Sequence, residues 1–153
     1  TMYVGGRIEL EVVPQGTLAE RIRAAGAGIG GFYTRTTIGT PLADGKERRI
    51  YNGEEYVLED PLYADVALVK ANLADRWGNL TYRLAARNFG PIMCTAAKTT
   101  IVQARQIVDL GEIPPEQVVT PGIYVDRVVE VANPGSEREM IENDVHYPAG
   151  GAE

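Results

Sequence analysis

The feature that most constrains the fold is a junction at Pro14, where a strand pattern gives way to a helix pattern. Residues 7–13 alternate polar and apolar side chains, as a half-buried strand does, and Pro14 removes the backbone donor that the strand would need to continue. Thr17 and Glu20 then have the spacing of a capping box, which predicts that a helix begins there. A strand that leads directly into a helix indicates an α/β fold.

The same junction is the first candidate ligand site. Gln15 and Gly16 fall between the predicted strand and the predicted helix. Open α/β sheets bind ligands at this place, in the crevice beyond the carboxyl ends of the strands. The side-chain amide of Gln15 would face such a ligand. The alternative, that Gln15 only solvates a turn, remains open on placement alone.

Composition excludes several classes of function. Hydrophobic residues make up 44% and charged residues 24% of the 153, which is typical of one globular domain. No apolar run approaches the roughly 20 residues of a membrane span and no secretory leader is evident, so we expect a cytoplasmic protein without a membrane partner. The net charge of −6 argues against nucleic acid. A single Cys (Cys94, expected buried and inert) and a single His cannot build a structural zinc site, so no metal is predicted.

Further elements follow from local patterns. The first helix should end near Gly26, and the G-x-G-x-x-G match that starts there follows a helix, so it is not a dinucleotide fingerprint. Asn52-Gly53 predicts a hairpin between residues 48–51 and 54–58. The remaining predictions are a central strand covered on both faces (64–71), a helix broken or kinked at Gly90-Pro91 (85–97), and strands over 99–104 and 123–131.

Several segments resemble one family in the same order. They are residues 14–34 (PQGTLAERIRAAGAGIGGFYT), 39–40, 64–71, 74–80, 86–93 and 120–125. Together they are similar to the A subunit of the 3-oxoacid CoA-transferases, and most similar to the 3-oxoadipate and acetoacetate (succinyl-CoA-dependent) branches. The resemblance covers residues 1–132. It implies a three-layer α/β sandwich with a mixed sheet, of which this chain would be the C-terminal portion. Residues 133–153 are interpreted as a polar C-terminal extension, either tag-like or partner-binding.

The resemblance also implies a chemistry. Enzymes of this family move CoA between carboxylic acids by a ping-pong route, in which a glutamate carries CoA as a thioester. That glutamate belongs to the B subunit, so no catalytic residue is assigned here. The expected role of this chain is substrate recognition: Gln15 would face the acyl carboxylate, with Gly31, Phe32, Tyr33 and Thr34 lining the acyl pocket. Coenzyme A enters as the acyl-CoA substrate, and no permanently bound cofactor is expected. Arg87 and Asn88 also match the family and are assigned to packing or an interface.

Two departures from the family pattern matter. Arg35 and Thr37 stand where the family usually has proline and glycine, so we expect a reshaped loop, and the new cation could select a dicarboxylate. The chain also starts at a point well inside the A subunit of the family. We therefore expect two partners in a hetero-oligomer, the missing N-terminal portion of the A subunit and the whole B subunit. Two other functions stay open, a catalytically silent scaffold of the same fold and an acyl-CoA hydrolase with the same machinery.

Overall fold

A computed structural model describes residues 2–132, which form two compact units. The first contains the chain up to residue 67 together with residues 88–99, and the second contains residues 68–87 and the chain from residue 100 onward. The predicted extension, residues 133–153, lies outside the described residues. Within residues 2–132, no helix has both the length and the apolar character needed to cross a membrane.

In the first unit, two helices pack against each other. Helix α1 spans Gln15–Gly26 and helix α2 spans Gly90–Ala96. Their contact buries Ile22, Ala25 and Ala96 against partly buried neighbours. A β-carbon added to Gly26 would lie 2.0 Å from Thr95 Oγ1, so the helices approach too closely for any larger residue. Burial of these apolar side chains stabilises a pair of helices too short to persist alone.

The end of α1 lies at the predicted residue, but a different glycine makes the turn. Gly28 has φ 68°, and its N–H donates to Ala25 O while the Ile29 N–H donates to Ala24 O. This pair of bonds is the Schellman motif, in which a left-handed residue satisfies the last helical carbonyls. Gly26 is needed for helix packing instead. As expected, the G-x-G-x-x-G match follows a helix, whereas a dinucleotide fingerprint follows a strand.

Three strands complete the first unit. They are β1 (Phe32–Thr34), β2 (Arg48–Tyr51) and β3 (Glu54–Glu59), in the antiparallel order β1-β3-β2. Asn52 and Gly53 have φ of 51° and 79°, which gives the predicted two-residue hairpin of the type I′ kind. Glu59, at the end of β3, is buried and its carboxylate pairs with Lys46 Nζ at 2.5 Å. Cys94 is buried as expected.

The longer sheet is mixed. Its order is β5-β4-β6-β7, formed by β4 (Ala64–Asp75), β5 (Leu80–Thr81), β6 (Ala97–Val108) and β7 (Arg127–Glu130). Strands β4 and β5 are antiparallel, whereas β6 and β7 are parallel. The combination of a mixed sheet with helices confirms the predicted α/β class.

A polar turn joins β4 to β5. The Asp75 carboxylate is 4% exposed and accepts the N–H groups of Trp77 (2.9 Å) and Asn79 (3.0 Å), together with the Asn79 amide (2.8 Å). Asn79 Oδ1 in turn accepts the N–H of Gly122 at 3.0 Å. A β-carbon at Gly122 would lie 1.9 Å from the Trp77 carbonyl oxygen, so the two segments fit only because this residue is glycine.

Two sequence predictions at the start of the chain are wrong. Residues 7–13 form no strand, and Leu10 and Val12 are more than half exposed, because no other described strand pairs with the segment. The capping box does not form either. Helix α1 begins at Gln15, Pro14 occupies the N-cap position, and the Thr17 side chain is buried within the first turn. The observed N-cap, Pro14, therefore lies three residues before Thr17, the N-cap that the capping box predicts.

The predicted break of the 85–97 helix at Gly90-Pro91 is present: a 3₁₀ turn (Leu84–Arg87) is followed by α2, because Pro91 lacks an N–H and is tolerated only in a first helical turn. Two other predictions need correction. The last strand is shorter than expected, since Gly122–Tyr124 is a 3₁₀ turn. Strand β4 is buried on one side only: Val69 and Ala71 are buried, whereas Leu68 is 72% exposed. No described residue buries Leu68, although a central strand was expected to be covered on both faces.

Candidate functional site

Gln15 lines a shallow cavity at the start of α1. The cavity has a volume of about 280 Å³ and is lined by Gln15, Gly16, Ala19, Asn88, Phe89 and Ile92, all in the first unit. Two side-chain amides, those of Gln15 and Asn88, supply both donors and acceptors. Ala19, Phe89 and Ile92 supply apolar surface. This combination suits a ligand with one polar end and a short carbon chain.

The backbone adds donors to the same cavity. The first backbone bond of α1 joins the Leu18 N–H to Pro14 O at 2.9 Å, and no side chain caps the helix. The N–H groups of Gln15, Gly16 and Thr17 therefore have no hydrogen-bond partner among the described residues. A β-carbon at Gly16 would meet nothing within 4 Å, so a ligand can approach this turn. Unpaired N–H groups at the positive end of a helix dipole favour an anion such as a carboxylate.

The other predicted residues lie on strand β1 and just before it. Phe32 pairs with Glu59, Tyr33 with Leu58 and Thr34 with Val57 across the antiparallel ladder. All three are half-buried. Gly31 comes close to the next strand, since a β-carbon there would lie 3.1 Å from Leu58 Cδ1. The glycine therefore lets the chain enter β1 without displacing Leu58.

Tyr33 belongs to a cluster of aromatic and charged side chains. Its hydroxyl donates a hydrogen bond to the Glu47 carboxylate, and the Arg49 guanidinium lies 5.0 Å above its ring centre. Tyr51 contacts the ring edge-on, with centroids 5.6 Å apart. The bond to Glu47 raises the pKa of Tyr33, and it lowers the pKa of Glu47 with help from Arg49. The Tyr33 hydroxyl is thus already engaged as a donor.

The structure separates the predicted site residues into two groups. Gln15 lines the cavity at α1, whereas the described lining of that cavity includes no residue from 31 to 34. Asn88, assigned from the sequence to packing or an interface, lines the cavity instead. Its placement depends on the packing of α1 against α2, and no local pattern encodes that packing. The one available signal was that Asn88 lies in a segment resembling the family.

The two residues that depart from the family pattern, Arg35 and Thr37, lie in one compact loop. Arg35 pairs with Glu54 at 2.7 Å, so its charge is already partly balanced by an exposed acid. Thr37 is buried, and its carbonyl accepts both the N–H (3.1 Å) and the hydroxyl (2.8 Å) of Thr40. Gly39 takes the left-handed φ of 78° in this loop. Selection of a dicarboxylate by Arg35 stays a prediction, and the ion pair with Glu54 weakens its basis.

Comparison with known proteins decides the family. The profile of the family described as coenzyme A transferase matches residues 1–131. The chain belongs to this family. The resemblance seen in the sequence is confirmed. Two solved coenzyme A transferases share its fold at 21% and 22% identity.

These two structures cover the same share of this coenzyme A transferase chain. The acyl-CoA transferase of Escherichia coli O157:H7, solved as a thioester complex with CoA, aligns with a TM-score of 0.77 over 86% of this chain and 31% of its own. Glutaconate coenzyme A-transferase of Acidaminococcus fermentans aligns with a TM-score of 0.77 over 86% of this chain and 49% of its own. At these identities the likeness shows the fold and nothing finer.

Curated relatives in the family are much closer in sequence. The A subunit of 3-oxoadipate CoA-transferase from Pseudomonas putida is 65% identical over 131 residues, which is 86% of this chain and 57% of that protein. The A subunit of succinyl-CoA:3-ketoacid coenzyme A transferase from Xanthomonas campestris pv. campestris (strain B100) is 57% identical over 138 residues, which is 90% of this chain and 57% of that protein. The chain therefore spans less than two thirds of the length of these relatives.

Proposed function

We propose that this chain is part of the A subunit of a CoA-transferase that moves CoA between succinyl-CoA, or a similar acyl-CoA, and a 3-oxo acid. The names of its close relatives, 3-oxoadipate and succinyl-CoA:3-ketoacid transferases, support this assignment. The active assembly would be a cytoplasmic hetero-oligomer that contains the complete A subunit together with the B subunit. Coenzyme A takes part as a substrate, and no permanently bound cofactor is proposed.

In this proposal the chain recognises substrate and does not supply the nucleophile. A glutamate carboxylate of the B subunit would attack the thioester carbonyl of the acyl-CoA and expel CoA thiolate, which leaves an anhydride between the acyl group and the glutamate. The thiolate would then attack the glutamyl carbonyl, release the acyl group as a carboxylate and form the glutamyl-CoA thioester. A second carboxylic acid then accepts CoA and regenerates the glutamate. For both half-reactions the present chain would hold the carboxylate-bearing end of the acyl group in a fixed orientation, which lowers the entropic part of the barrier.

The observation that carries the proposal is the cavity at the start of α1. It combines the amides of Gln15 and Asn88, the unpaired backbone N–H groups of Gln15 and Gly16, and the apolar side chain of Phe89. A carboxylate would find neutral donors there, which bind it without the tight hold of a fixed positive charge. An acyl chain would lie against Phe89 and its apolar neighbours. Both products must leave this site, so moderate affinity suits a ping-pong route.

The residues on β1 have a second, separate role in the proposal. We infer that Gly31, Phe32, Tyr33 and Thr34 form one wall of the acyl site. Because the Tyr33 hydroxyl donates to Glu47, the ring of Tyr33 and not its hydroxyl would contact the acyl group. Phe32 offers a second aromatic surface, and Thr34 keeps a hydroxyl that is bonded to Thr36.

The deciding experiment uses the full assembly, with the B subunit present. We expect incubation with succinyl-CoA to add CoA to a glutamate of that subunit, detected by intact mass and marked by borohydride reduction. If no chain of the assembly gains CoA, the transferase proposal is wrong and a silent scaffold takes its place. Thioester formation followed by transfer to water alone, with no use of a 3-oxo acid, would identify a hydrolase.

A second measurement tests the recognition site itself. Gln15→Ala should raise KM for the 3-oxo acid by about tenfold or more with a smaller effect on kcat, because a hydrogen bond to a charged group contributes about 1.5–3 kcal/mol. Asn88→Ala should act in the same direction. Gln106→Ala, at an exposed position on β6, is the matched control and should leave KM unchanged. Equal KM values for all three variants would remove Gln15 from the substrate site.

A further inference from the structure

One side of the mixed sheet is uncovered in the second unit. Along β4 and β6, Val69, Ala71, Val102 and Ala104 point to one side and are at most 7% exposed. The alternate residues point to the other side, which we call the open face. It carries Leu68, Lys70, Asn72, Ile101, Gln103, Arg105, Val129 and Val131. On it Leu68 is 72% exposed and Val129 is 52% exposed.

The open face is concave and largely apolar. Two adjoining cavities, of about 180 Å³ and 510 Å³, share Lys70, Gln103 and Val131 in their linings. Leu68, Ile101 and Val129 line the larger one. Sheets with parallel strands, such as the β6–β7 pair here, are normally covered on both faces, because exposing this much apolar surface to water is unfavourable. A covering partner is therefore required.

The charges on the open face indicate the chemistry of that partner. Lys70, Arg83 and Arg105 line the smaller cavity, and no acidic side chain does. None of the three forms an ion pair with another described residue, whereas the first unit pairs seven of its cations with acids. A partner segment with apolar side chains and carboxylates would complement both features. Charge complementarity of this kind selects the partner and fixes its register.

We propose that the open face is the docking surface for the part of the A subunit by which the relatives exceed this chain. The proposal rests on the function proposed above, since it takes the chain to be one portion of that subunit. The relatives in Pseudomonas putida and Xanthomonas campestris align over 57% of their length, so a large part of each remains to cover this face. The docking segment places apolar side chains over Leu68 and Val129 and carboxylates beside Lys70 and Arg105.

The test is co-expression of this chain, tagged, with the segment of the Pseudomonas putida relative that lies outside the alignment. We expect the two polypeptides to purify together. Leu68→Asp and Val129→Asp should each weaken binding by at least about tenfold, because each would place an unpaired charge in an apolar contact. Lys70→Glu and Arg105→Glu should weaken it similarly and reduce its dependence on salt. Circular dichroism checks that each variant folds.

Two control variants make the same kinds of substitution, apolar residue to Asp and cation to Glu, at exposed positions away from the open face. Ile50→Asp changes a 74% exposed apolar residue on β2, and Arg76→Glu reverses an exposed cation outside both cavities. Neither should affect co-purification. Failure of the wild-type pair to associate would overturn the proposal, as would unaltered binding by Leu68→Asp and Val129→Asp. Self-association of the chain through Leu68, unaffected by the added segment, would make a second copy the occupant and would also overturn it.

This binding readout is independent of catalysis. An assembly that forms through the open face but never carries a thioester would contradict only the proposed function. An assembly that carries the thioester yet tolerates every change on the open face would contradict only the docking surface.

Discussion

Two buried threonine hydroxyls, those of Thr17 and Thr37, have no hydrogen-bond partner among the described residues. A buried unsatisfied polar group costs about 1–3 kcal/mol. Thr37→Val should therefore raise the free energy of unfolding by about 1 kcal/mol. Thr120 is the matched control, because its equally buried hydroxyl is bonded to the Tyr82 hydroxyl at 2.7 Å. Urea denaturation should show Thr120→Val to be destabilising, and the same sign for both variants would contradict the interpretation.

At the Tyr33 cluster, stability should depend on pH through Glu47. Its pKa is lowered mainly by the hydrogen bond from Tyr33, so its contribution to stability is present above the ordinary glutamate pKa of about 4.3 and is lost as the pH falls through the lowered value. Tyr33→Phe should move the pKa of Glu47 upward. Tyr63→Phe, at an exposed position, is the control. An NMR titration in which Tyr33→Phe leaves the pKa of Glu47 unchanged would contradict this cause.

Between elements, the tightest constraint is the contact of Gly26 with Thr95. Gly26→Ala should destabilise the α1–α2 pair by about 1–3 kcal/mol, because its β-carbon would overlap the Thr95 side chain. Gly16→Ala is the control in the same helix, since nothing lies within 4 Å of the added carbon. It should be neutral or stabilising by up to about 1 kcal/mol. Thermal denaturation distinguishes them, and equal melting temperatures would show that the helices can shift apart.

Local signals predicted the elements that local chemistry determines. The Asn52-Gly53 hairpin formed as expected because both residues accept positive φ without help from distant contacts. The alternation of residues 7–13 was misleading, since a strand also needs a neighbour to bond. The capping box at Thr17 failed for a related reason. The helix begins at Gln15, so Thr17 lies inside the first turn, where its buried hydroxyl cannot serve as the N-cap.

The candidate site was only partly predictable for the same reason. Gln15 could be placed just before a helix start from the capping signal at Thr17, although the helix in fact begins at Gln15 itself. Asn88 reaches the cavity through the packing of α2 on α1, which joins residues far apart in the sequence. A periodic pattern describes one element at a time, so it carries no information on that juxtaposition.

For the whole molecule, an uncovered sheet face makes stability depend on the partner. A segment that binds only the folded chain should raise the free energy of unfolding by about 2.7 kcal/mol at 100 times its Kd. Titration of the segment that completes the A subunit into the wild-type chain should therefore raise its melting temperature progressively. The Leu68→Asp chain should gain little over the same range. A rise of equal size in both chains would place the stabilising contact elsewhere.

The hydrogen bond between Asn79 and Gly122 also determines when the turn after β4 can form during synthesis. The Asn79 amide oxygen accepts a hydrogen bond from a residue 43 positions later, so the turn after β4 cannot be completed until that residue has left the ribosome. At roughly 5–20 residues per second the wait is about 2–9 s. During the first part of this interval β4 is made but β6 is not, so the edge of β4 that β6 will occupy is open to other nascent chains. We therefore expect this stretch to be the period when the growing chain most needs chaperone protection.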